Sequence, residues 1–256
     1  MPFPAHSPRV YRQRRQRLRR LIFFLLIVTA LFYFIHSGFF GLGEIKITGN
    51  EYIPAAELED LMGIARGVNL WQVDTTMVAG RLATHPLVAA ARVSRRWPRT
   101  LVVQVQARKP AALLVQDGGF LLVDGDGVVM ERISSLGDLK LPLISGPGSP
   151  GDAGPGKEIA HPGLKAALAV CRQIPPGELS RLQEIIAPAA DKLDLIWEGN
   201  IRVRFGDSQQ VAAKLARLQE ALQGLAGGET IDYIDVSFAG APVVKFDNND
   251  QQGKKE

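Results

Sequence analysis

The sequence has a single cysteine, Cys171, in 256 residues. One thiol cannot form an intramolecular disulfide, and it excludes a metal site built from several cysteines. The four histidines, His6, His36, His85 and His161, are scattered, and none is paired with another at the spacing of metal ligands. The G-x-S-x-G signature of a serine nucleophile is missing as well. The sequence therefore offers no persuasive catalytic constellation, and we expect neither a cofactor nor a metal.

Two short motifs resemble ligand-binding loops but lack a residue that the chemistry needs. Gly151–Glu158, GDAGPGKE, nearly matches a phosphate-binding P-loop, but Glu158 stands where a hydroxyl would hold Mg²⁺. Asp124–Gly127, DGDG, resembles the start of a calcium loop, but no glutamate follows at the twelfth position. An Asp-Gly pair between apolar segments is instead typical of a β-hairpin turn. We predict a turn at residues 124–127 and no nucleotide site.

Acidic residues are missing from the first 40 positions. Residues 1–20 hold seven of the 30 basic side chains, which leaves 23 basic against 26 acidic residues in the rest of the chain. Such an arginine cluster could bind nucleic acid or anionic lipid. Attraction to the negative inner leaflet is worth about 1 kcal/mol per charge near the surface. The orientation of a membrane protein and contact with anionic lipid are enough to explain this basic tail. We therefore expect it to contact the lipid bilayer and not nucleic acid.

The segment after the tail, Leu21–Phe40, carries no aspartate, glutamate, lysine or arginine. At about 1.5 Å per residue, a helix of this length spans roughly 30 Å, the thickness of a bilayer core. A cleaved signal peptide has a shorter apolar segment and a small-residue cleavage site, and no A-x-A pattern follows here. We predict a single-pass protein of the cytoplasmic membrane. The arginines favour a cytoplasmic N-terminus, with the remaining ~215 residues outside.

The first part of the exported chain predicts the order β-α-α-β-β. A short strand, Ile45–Thr48, precedes a helix that starts at Pro54 and stops at Gly63. Asp74 is the predicted N-cap of a second helix. Two strands follow, 87–96 and 100–107, and the second alternates between two faces. The segment between these two strands, RRWPRT, combines arginines with an aromatic residue.

That combination can mark a nucleic-acid surface, but proline at this position is typical of a tight turn. We therefore predict a hairpin turn at Trp97-Pro98-Arg99. From Pro110 onward we predict short strands in 111–116, 119–124 and 127–132. A Gly/Pro-rich flexible loop, a helix over Pro162–Ile174, and strands in 193–199 and 201–206 follow. The chain then forms a helix with an apolar stripe from Val211 to Leu225 and closes with strands in 231–246. The predicted class is α+β.

These motifs resemble the bacterial cell-division family FtsQ/DivIB. The family pattern is P-x-V, a short strand, R-x-W-P-x-T-L, an alternating strand and then E-R-x-P-x-A. The matching residues here are Pro86, Val88, Arg95, Trp97, Pro98, Thr100, Leu101, Arg108, Pro110 and Ala112. Ala107 departs from the pattern, since a glutamate is usual there. The resemblance is strong over residues 44–146 and weaker over 190–246, where IDYIDVSF resembles the family's closing strand.

The resemblance implies five regions. These are a basic cytoplasmic tail (1–20), a transmembrane helix (21–40), a POTRA domain (43–108), a β-rich C-terminal domain with one or two packed helices (109–246), and a disordered tail (247–256). It also implies a non-enzymatic scaffold at the division septum, which links early components of the divisome to later ones. The alternatives are another exported POTRA-containing transport or assembly component and a membrane-anchored wall hydrolase.

The implied partners are the small bitopic division proteins of the FtsB (DivIC) and FtsL types, with other divisome members at the POTRA domain. The former are expected to add an extended segment to an exposed strand edge, either Ile231–Phe238 or Pro242–Phe246. Aromatic residues dominate interaction hot spots. The candidate partner-binding residues are Tyr233, Val236, Phe238, Val244 and Phe246. The competing interpretation is that these side chains belong to the core.

Overall fold

The computed structural model describes residues 8–116, 118–137, 139–148, 153–224 and 231–246. The chain divides into two compact units. Unit 1 contains residues up to Ala83 together with Ala90–Ala107, and unit 2 contains Thr84–Ala89 together with the chain from Arg108 onward. The tail predicted to be disordered, 247–256, lies outside the described residues, as do residues 1–7 of the basic tail and 149–152 of the Gly/Pro loop.

The N-terminal helix α1 covers Pro8–Ile35, and a 3₁₀ turn follows at Gly38–Phe40. Among the described residues, one stretch, Arg17–Phe40, is long and apolar enough to cross a membrane, and none of it is buried within the protein. Ser37 lies between α1 and this 3₁₀ turn, and it is the N-cap of the turn. The Ser37 hydroxyl donates to the Phe34 carbonyl at 2.7 Å and accepts from the Phe39 N–H at 3.4 Å.

Unit 1 contains the predicted β-α-α-β-β order, which is confirmed. Its elements are β1 (Glu44–Thr48), α2 (Ala55–Met62), α3 (Thr75–Leu82), β2 (Val88–Arg96) and β3 (Thr100–Ala107). The sheet order is β1-β3-β2, with β1 parallel to β3. The predicted caps are also confirmed. Gly63 ends α2 in the left-handed conformation, with φ of 61°, and the Asp74 carboxylate accepts from Thr76 and Met77 at the start of α3.

In its described residues, unit 2 is built on one mixed sheet of nine strands. The strands are β4 (Pro110–Gln116), β5 (Gly119–Asp124), β6 (Val129–Ile133), β7 (Leu143–Ser145), β8 (Leu182–Ala189), β9 (Lys192–Trp197), β10 (Ile201–Gly206), β11 (Ile231–Asp235) and β12 (Val243–Phe246). Their order is β12-β11-β10-β9-β8-β7-β4-β5-β6. The pairs β4/β7, β7/β8 and β10/β11 are parallel, and the other pairs are antiparallel.

Unit 2 also contains the helices α4 (Pro162–Gln173), α5 (Pro176–Leu179) and α6 (Val211–Gly224). The main core contains Trp197 and Phe205 from the sheet together with apolar residues of α4 and α6. The predicted stripe of α6 is confirmed for Val211, Leu215 and Leu218, which are buried, while Leu225 lies outside the described residues. A smaller cluster with Leu113 and its neighbours lies on the other face of β4 and β5.

No helix or strand was predicted from the sequence between Ile174 and Leu193, where the structure has α5 and β8. Strand β8 is central, because it pairs with β7 on one side and β9 on the other. Its signal is weak because Pro188 lies within the strand and the buried residues are few: Leu182, Ile185 and Ala187. Long-range pairing, rather than local preference, therefore establishes this strand.

Candidate protein-interaction edge

Strand β12 forms one end of the sheet of unit 2. It pairs antiparallel with β11, and within the described part of the chain no strand pairs with its other side. In a strand that is paired on one side only, alternate residues point their N–H and C=O groups away from the sheet. Such groups can bind an added extended segment by main-chain hydrogen bonds. The outer side of β12 is therefore the candidate interaction edge.

The structure separates the two segments that the sequence offered for this edge. Strand β11 lies between β10 and β12 and is hydrogen-bonded on both sides. The prediction that Ile231–Phe238 provides the free edge is therefore wrong, because the main-chain groups of its strand are already used. The other segment, Pro242–Phe246, contains the outer strand.

The five candidate residues differ in how much of each side chain reaches solvent. Phe238 and Phe246 are exposed, by 48% and 41%. Tyr233 and Val244 are half-buried, and Val244 packs against the main core. Val236 is 1% exposed and belongs to that core, which corrects its assignment as a contact residue. Direct contacts by the other four residues remain a prediction.

The ring of Tyr233 lies close to two cationic side chains. The guanidinium of Arg204 lies 3.8 Å from the centroid of its ring, and the Lys245 ammonium lies 5.4 Å from the same centroid. Arg204 comes from β10 and Lys245 from β12, so the ring links three adjacent strands. Cations over an aromatic face are attracted by the ring quadrupole. This contact fixes the position of β12 relative to the inner strands.

Lys245 also forms an ion pair with Asp232 of β11, with Nζ and Oδ2 2.6 Å apart. The hydrogen bond from Lys245 to that carboxylate, and then its negative charge, raise the pKa of the lysine above its ordinary value. A lysine on an outer strand is a common protection against unwanted edge-to-edge pairing. Lys245 therefore stabilises β12 on its inner side and places a positive charge at the edge.

The loop between β11 and β12 is tied down by specific hydrogen bonds. The Val236 N–H donates to the Arg204 carbonyl at 3.0 Å, and the Asp235 carboxylate accepts from the N–H and hydroxyl of Ser237 at 2.9 and 2.7 Å. Arg217 of α6 donates to the Phe238 carbonyl. Phe238 is consequently exposed on a fixed loop rather than on a free one.

Val243 belongs to the candidate edge and was missed by the sequence interpretation. It is 48% exposed and stands opposite Asp235 in the register of β11 and β12. The available signal was the alternation along β12, in which half-buried Val244 lies between two exposed neighbours. The candidate residues were chosen mainly because they are aromatic, and this alternation was not used.

The other motifs from the sequence have structural roles. Asp124 forms the predicted turn between β5 and β6: its Oδ1 accepts from the N–H groups of Asp126 and Val128 at 2.9 Å. Its Oδ2 accepts from Arg108 at 2.5 Å. The His161 ring accepts from the Gly163 N–H at the start of α4. Among the described residues no group of three or more potential ligands could hold a metal ion.

Comparison with known families gives two matches. The POTRA domain of the FtsQ type matches residues 40–108, and the C-terminal region of the cell-division protein FtsQ/DivIB matches residues 112–237. Together they account for well over half of the chain. The second match ends before β12, so the candidate edge lies beyond it.

Several curated proteins are similar along most of the chain. FtsQ of Syntrophotalea carbinolica is 28% identical over 223 residues, covering 85% of this chain and 78% of that protein. FtsQ of Anaeromyxobacter sp. (strain K) is 34% identical over 195 residues, covering 75% of this chain and 65% of that protein. DivIB of Geobacillus kaustophilus is 25% identical over 222 residues, covering 84% and 78%.

An apolar N-terminal helix, a POTRA domain and a β-rich C-terminal region with packed helices define a single-pass membrane protein of the cell-division type. The chain belongs to the FtsQ/DivIB family. Members of this family are scaffold-type division proteins rather than known enzymes. Membership implies a role in the divisome and interaction with other divisome proteins.

Proposed function

We propose that this protein is a non-enzymatic scaffold that links early and late septal assembly proteins through contacts outside the cytoplasm. Bitopic partners of the FtsB/DivIC and FtsL types add an extended segment to β12. The observation that carries the proposal is the outer side of β12, which pairs with no strand among the described residues. Exposed Val243 and Phe246 on the strand, and exposed Phe238 beside it, supply apolar contact area.

The added strand gains affinity from main-chain hydrogen bonds and specificity from side chains that alternate along it. Lys245 favours a partner segment that carries an acidic residue opposite it. Because Lys245 is already paired with Asp232, that preference is modest, as expected for an exposed ion pair. The apolar residues therefore provide most of the discrimination against other exposed strands.

The test uses the full-length protein co-expressed with its FtsB-type partner. Val243→Asp places a carboxylate in the apolar contact, and we expect co-purification to be lost while the sheet stays folded, because this side chain is exposed. Val243→Thr keeps the branched shape and should retain the partner. Leu139→Asp, another exposed apolar position, 43% exposed and outside β12, is the matched surface control. Unchanged binding by both Val243→Asp and Phe246→Asp would rule out the edge as the binding site.

The same proposal places the basic tail in the cytoplasm and both units outside it, at the division septum. The arginines that precede the apolar helix support this orientation, since cytoplasmic flanks are enriched in positive charge. A phosphatase fused after unit 2 should be active, whereas the same enzyme fused at the N-terminus should be inactive. Midcell localisation of a fluorescent fusion distinguishes a division scaffold from another exported POTRA protein.

The POTRA domain is proposed to contact further divisome members near the membrane. Strand β2 forms one end of its three-stranded sheet and pairs only with β3 among the described residues. This supports a second site for strand addition, independent of β12. Loss of different partners from β2 and β12 variants in the same co-purification experiment would separate the two sites.

A further inference from the structure

The hairpin turn of the POTRA domain lies beside the end of the membrane helix in unit 1. Four aromatic residues, Phe39, Phe40, Trp71 and Trp97, form a continuous cluster there, which we call the aromatic collar. Phe40 contacts Trp71 and Trp97 with ring centroids 6.2 and 5.7 Å apart, and the two tryptophans are 4.3 Å apart. Phe39 contacts Phe40 at 5.1 Å. The RRWPRT motif therefore contributes directly to this cluster.

The aromatic rings of the collar are in direct contact with the apolar helix α1. Phe34, in the last turn of α1, contacts Phe39 at 5.6 Å and Phe40 at 5.4 Å. Both tryptophans therefore contact Phe40, the last residue of the apolar stretch, and Phe40 in turn contacts Phe34 of α1. The interfacial layer of a bilayer is several ångströms thick on each side of the hydrocarbon core. A helix that spans the core therefore places the collar at the depth of the lipid headgroups.

The collar is exposed although its residues are large and apolar. Phe39 is 54% exposed, Trp71 52% and Trp97 43%. Tryptophan is enriched at membrane interfaces because its ring is apolar while its indole N–H can bond to polar groups. A contiguous exposed aromatic surface that continues a membrane helix needs a covering surface, and the bilayer is the one already present.

Hydrogen bonds hold the collar in this position. The Asn69 side-chain amide donates to the Ile35 carbonyl at 2.7 Å, so a residue of the POTRA domain caps the membrane helix. The Leu70 N–H donates to the Phe40 carbonyl at 2.8 Å, and the Leu42 N–H donates to the Val68 carbonyl at 2.8 Å. The short connection after α1 is thereby paired with the loop that carries Trp71.

The charge beside the collar fits lipid headgroups. Residues 95–100, RRWPRT, contain three arginines and no acid. Arg95 is used internally, since it donates to the carbonyls of Leu70 and Val73 at 2.9 and 2.6 Å. Arg96 and Arg99 lie on either side of Trp97 and Pro98, and both are exposed. The Nε of Arg99 donates to the Gly41 carbonyl at 3.1 Å, which holds this arginine beside the connection that follows α1. Arginine binds phosphate oxygens with a planar pair of donors, which suits phospholipid headgroups.

We propose that the aromatic collar is a membrane-docking site that inserts into the interfacial layer of the bilayer, with Arg96 and Arg99 at the lipid phosphates. The POTRA domain is then seated on the membrane by two attachments, the helix and the collar. The docked collar sets the orientation of the POTRA sheet relative to the membrane plane. A protein held by the helix alone would leave this surface in water.

The experiment measures single-tryptophan forms of the full-length protein in vesicles of phosphatidylethanolamine and phosphatidylglycerol. Trp197 is removed by Trp197→Phe, and Trp71 or Trp97 is retained alone. Lipids brominated near the headgroup should quench both tryptophans strongly, and lipids brominated near the chain terminus should quench them weakly. Iodide in the water should quench them little, and their emission should be shifted to shorter wavelength.

The matched control is Tyr52→Trp in a protein that lacks the three native tryptophans. Tyr52 is 69% exposed in the same unit but lies beyond the far end of β1, which rises about 3.3 Å per residue away from the collar. This reporter should be quenched by iodide and not by brominated lipid. If Trp71 or Trp97 behaves like the Tyr52→Trp reporter, the collar as defined does not dock and the proposal is overturned.

The arginines are tested in the same assay. Arg96→Glu should reduce lipid quenching of Trp97, because a carboxylate is repelled by phosphatidylglycerol and by headgroup phosphate. Arg92→Glu, an exposed arginine four positions earlier on β2, should leave the quenching unchanged. Equal effects of the two substitutions would contradict a specific role for Arg96 at the lipid surface.

Discussion

The Arg204 guanidinium stacks over the ring of Tyr233, 3.8 Å from its centroid, and so joins β10 to β11 just inside the candidate edge. Such contacts are worth about 0.5–1 kcal/mol at exposed sites. We expect Tyr233→Leu to lower the free energy of unfolding of unit 2 by about that amount. Tyr233→Phe keeps the ring and should match the wild type. Urea unfolding followed by Trp197 fluorescence, in a Trp71→Phe/Trp97→Phe background, measures both.

Lys214 is 4% exposed on α6, and its ammonium donates to the Asp207 carboxylate at 2.6 Å and to the Asp207 carbonyl at 2.9 Å. Asp207→Ala leaves a buried ammonium without its carboxylate, and we expect a loss of about 1–3 kcal/mol in the free energy of unfolding. Lys214→Met should cost less, because it fills a similar volume and the Asp207 side chain is half-exposed and can be hydrated. An equal loss in both variants, measured by urea unfolding near neutral pH, would contradict this explanation.

The same pair predicts a pH dependence. The hydrogen bond from Lys214 lowers the pKa of Asp207 below its ordinary value of 3.8. A carboxylate whose folded-state pKa is lowered contributes stability that is fully present above the ordinary value and is lost as the pH falls through the folded-state value. The stability difference between wild type and Asp207→Asn should therefore shrink below about pH 4. A difference that stays constant through acid unfolding would show that the charge of Asp207 is not involved.

Gly163 lies at the start of α4, where the helix meets β8. A Cβ at this position would lie 2.1 Å from the Ala187 carbonyl oxygen, a backbone atom that cannot rotate away. We expect Gly163→Ala to destabilise unit 2 by about 1–3 kcal/mol, as overpacking commonly does. Gly177→Ala is the matched control, since nothing lies within 4 Å of its added methyl group. Thermal unfolding of the two variants should differ clearly.

Cys171 is buried on α4, and burial raises the pKa of its thiol to about 12. The reactive thiolate is therefore scarce near neutral pH, and maleimide should label the native protein slowly and the urea-unfolded protein quickly. Gln173→Cys in a Cys171→Ser background places a thiol at an exposed position of the same helix and should react quickly in the native state. Rapid labelling of native Cys171 would show that this part of α4 opens.

Much of the fold could be predicted because its signals are local. Pro54, Gly63 and Asp74 mark helix ends through their own backbone and side-chain preferences. The alternation of residues 100–107 follows from the geometry of a strand and needs no partner. Strand β8 lacked such a signal, because it is held by β7 and β9 rather than by its own composition.

The candidate site was located less well. The aromatic residues of the closing strands directed attention to this end of the sheet. Composition alone does not reveal that β11 pairs on both sides, or that Val236 is buried while Val243 is exposed. Those facts depend on which strands become neighbours. Likewise, RRWPRT predicted a turn, whereas its place beside the membrane helix depends on contacts with Phe40 and Trp71.

The membrane helix, the β-α-α-β-β unit and the family could all be inferred from the sequence, since they rest on hydrophobic length, short-range periodicity and a local motif. Which strand is outermost, and which aromatic rings gather beside the end of the apolar helix, follow from the tertiary structure alone. The physical reason is that strand order and side-chain clusters arise between residues far apart in the chain. Periodicity sets the face on which a side chain lies, but the fold decides what lies against that face.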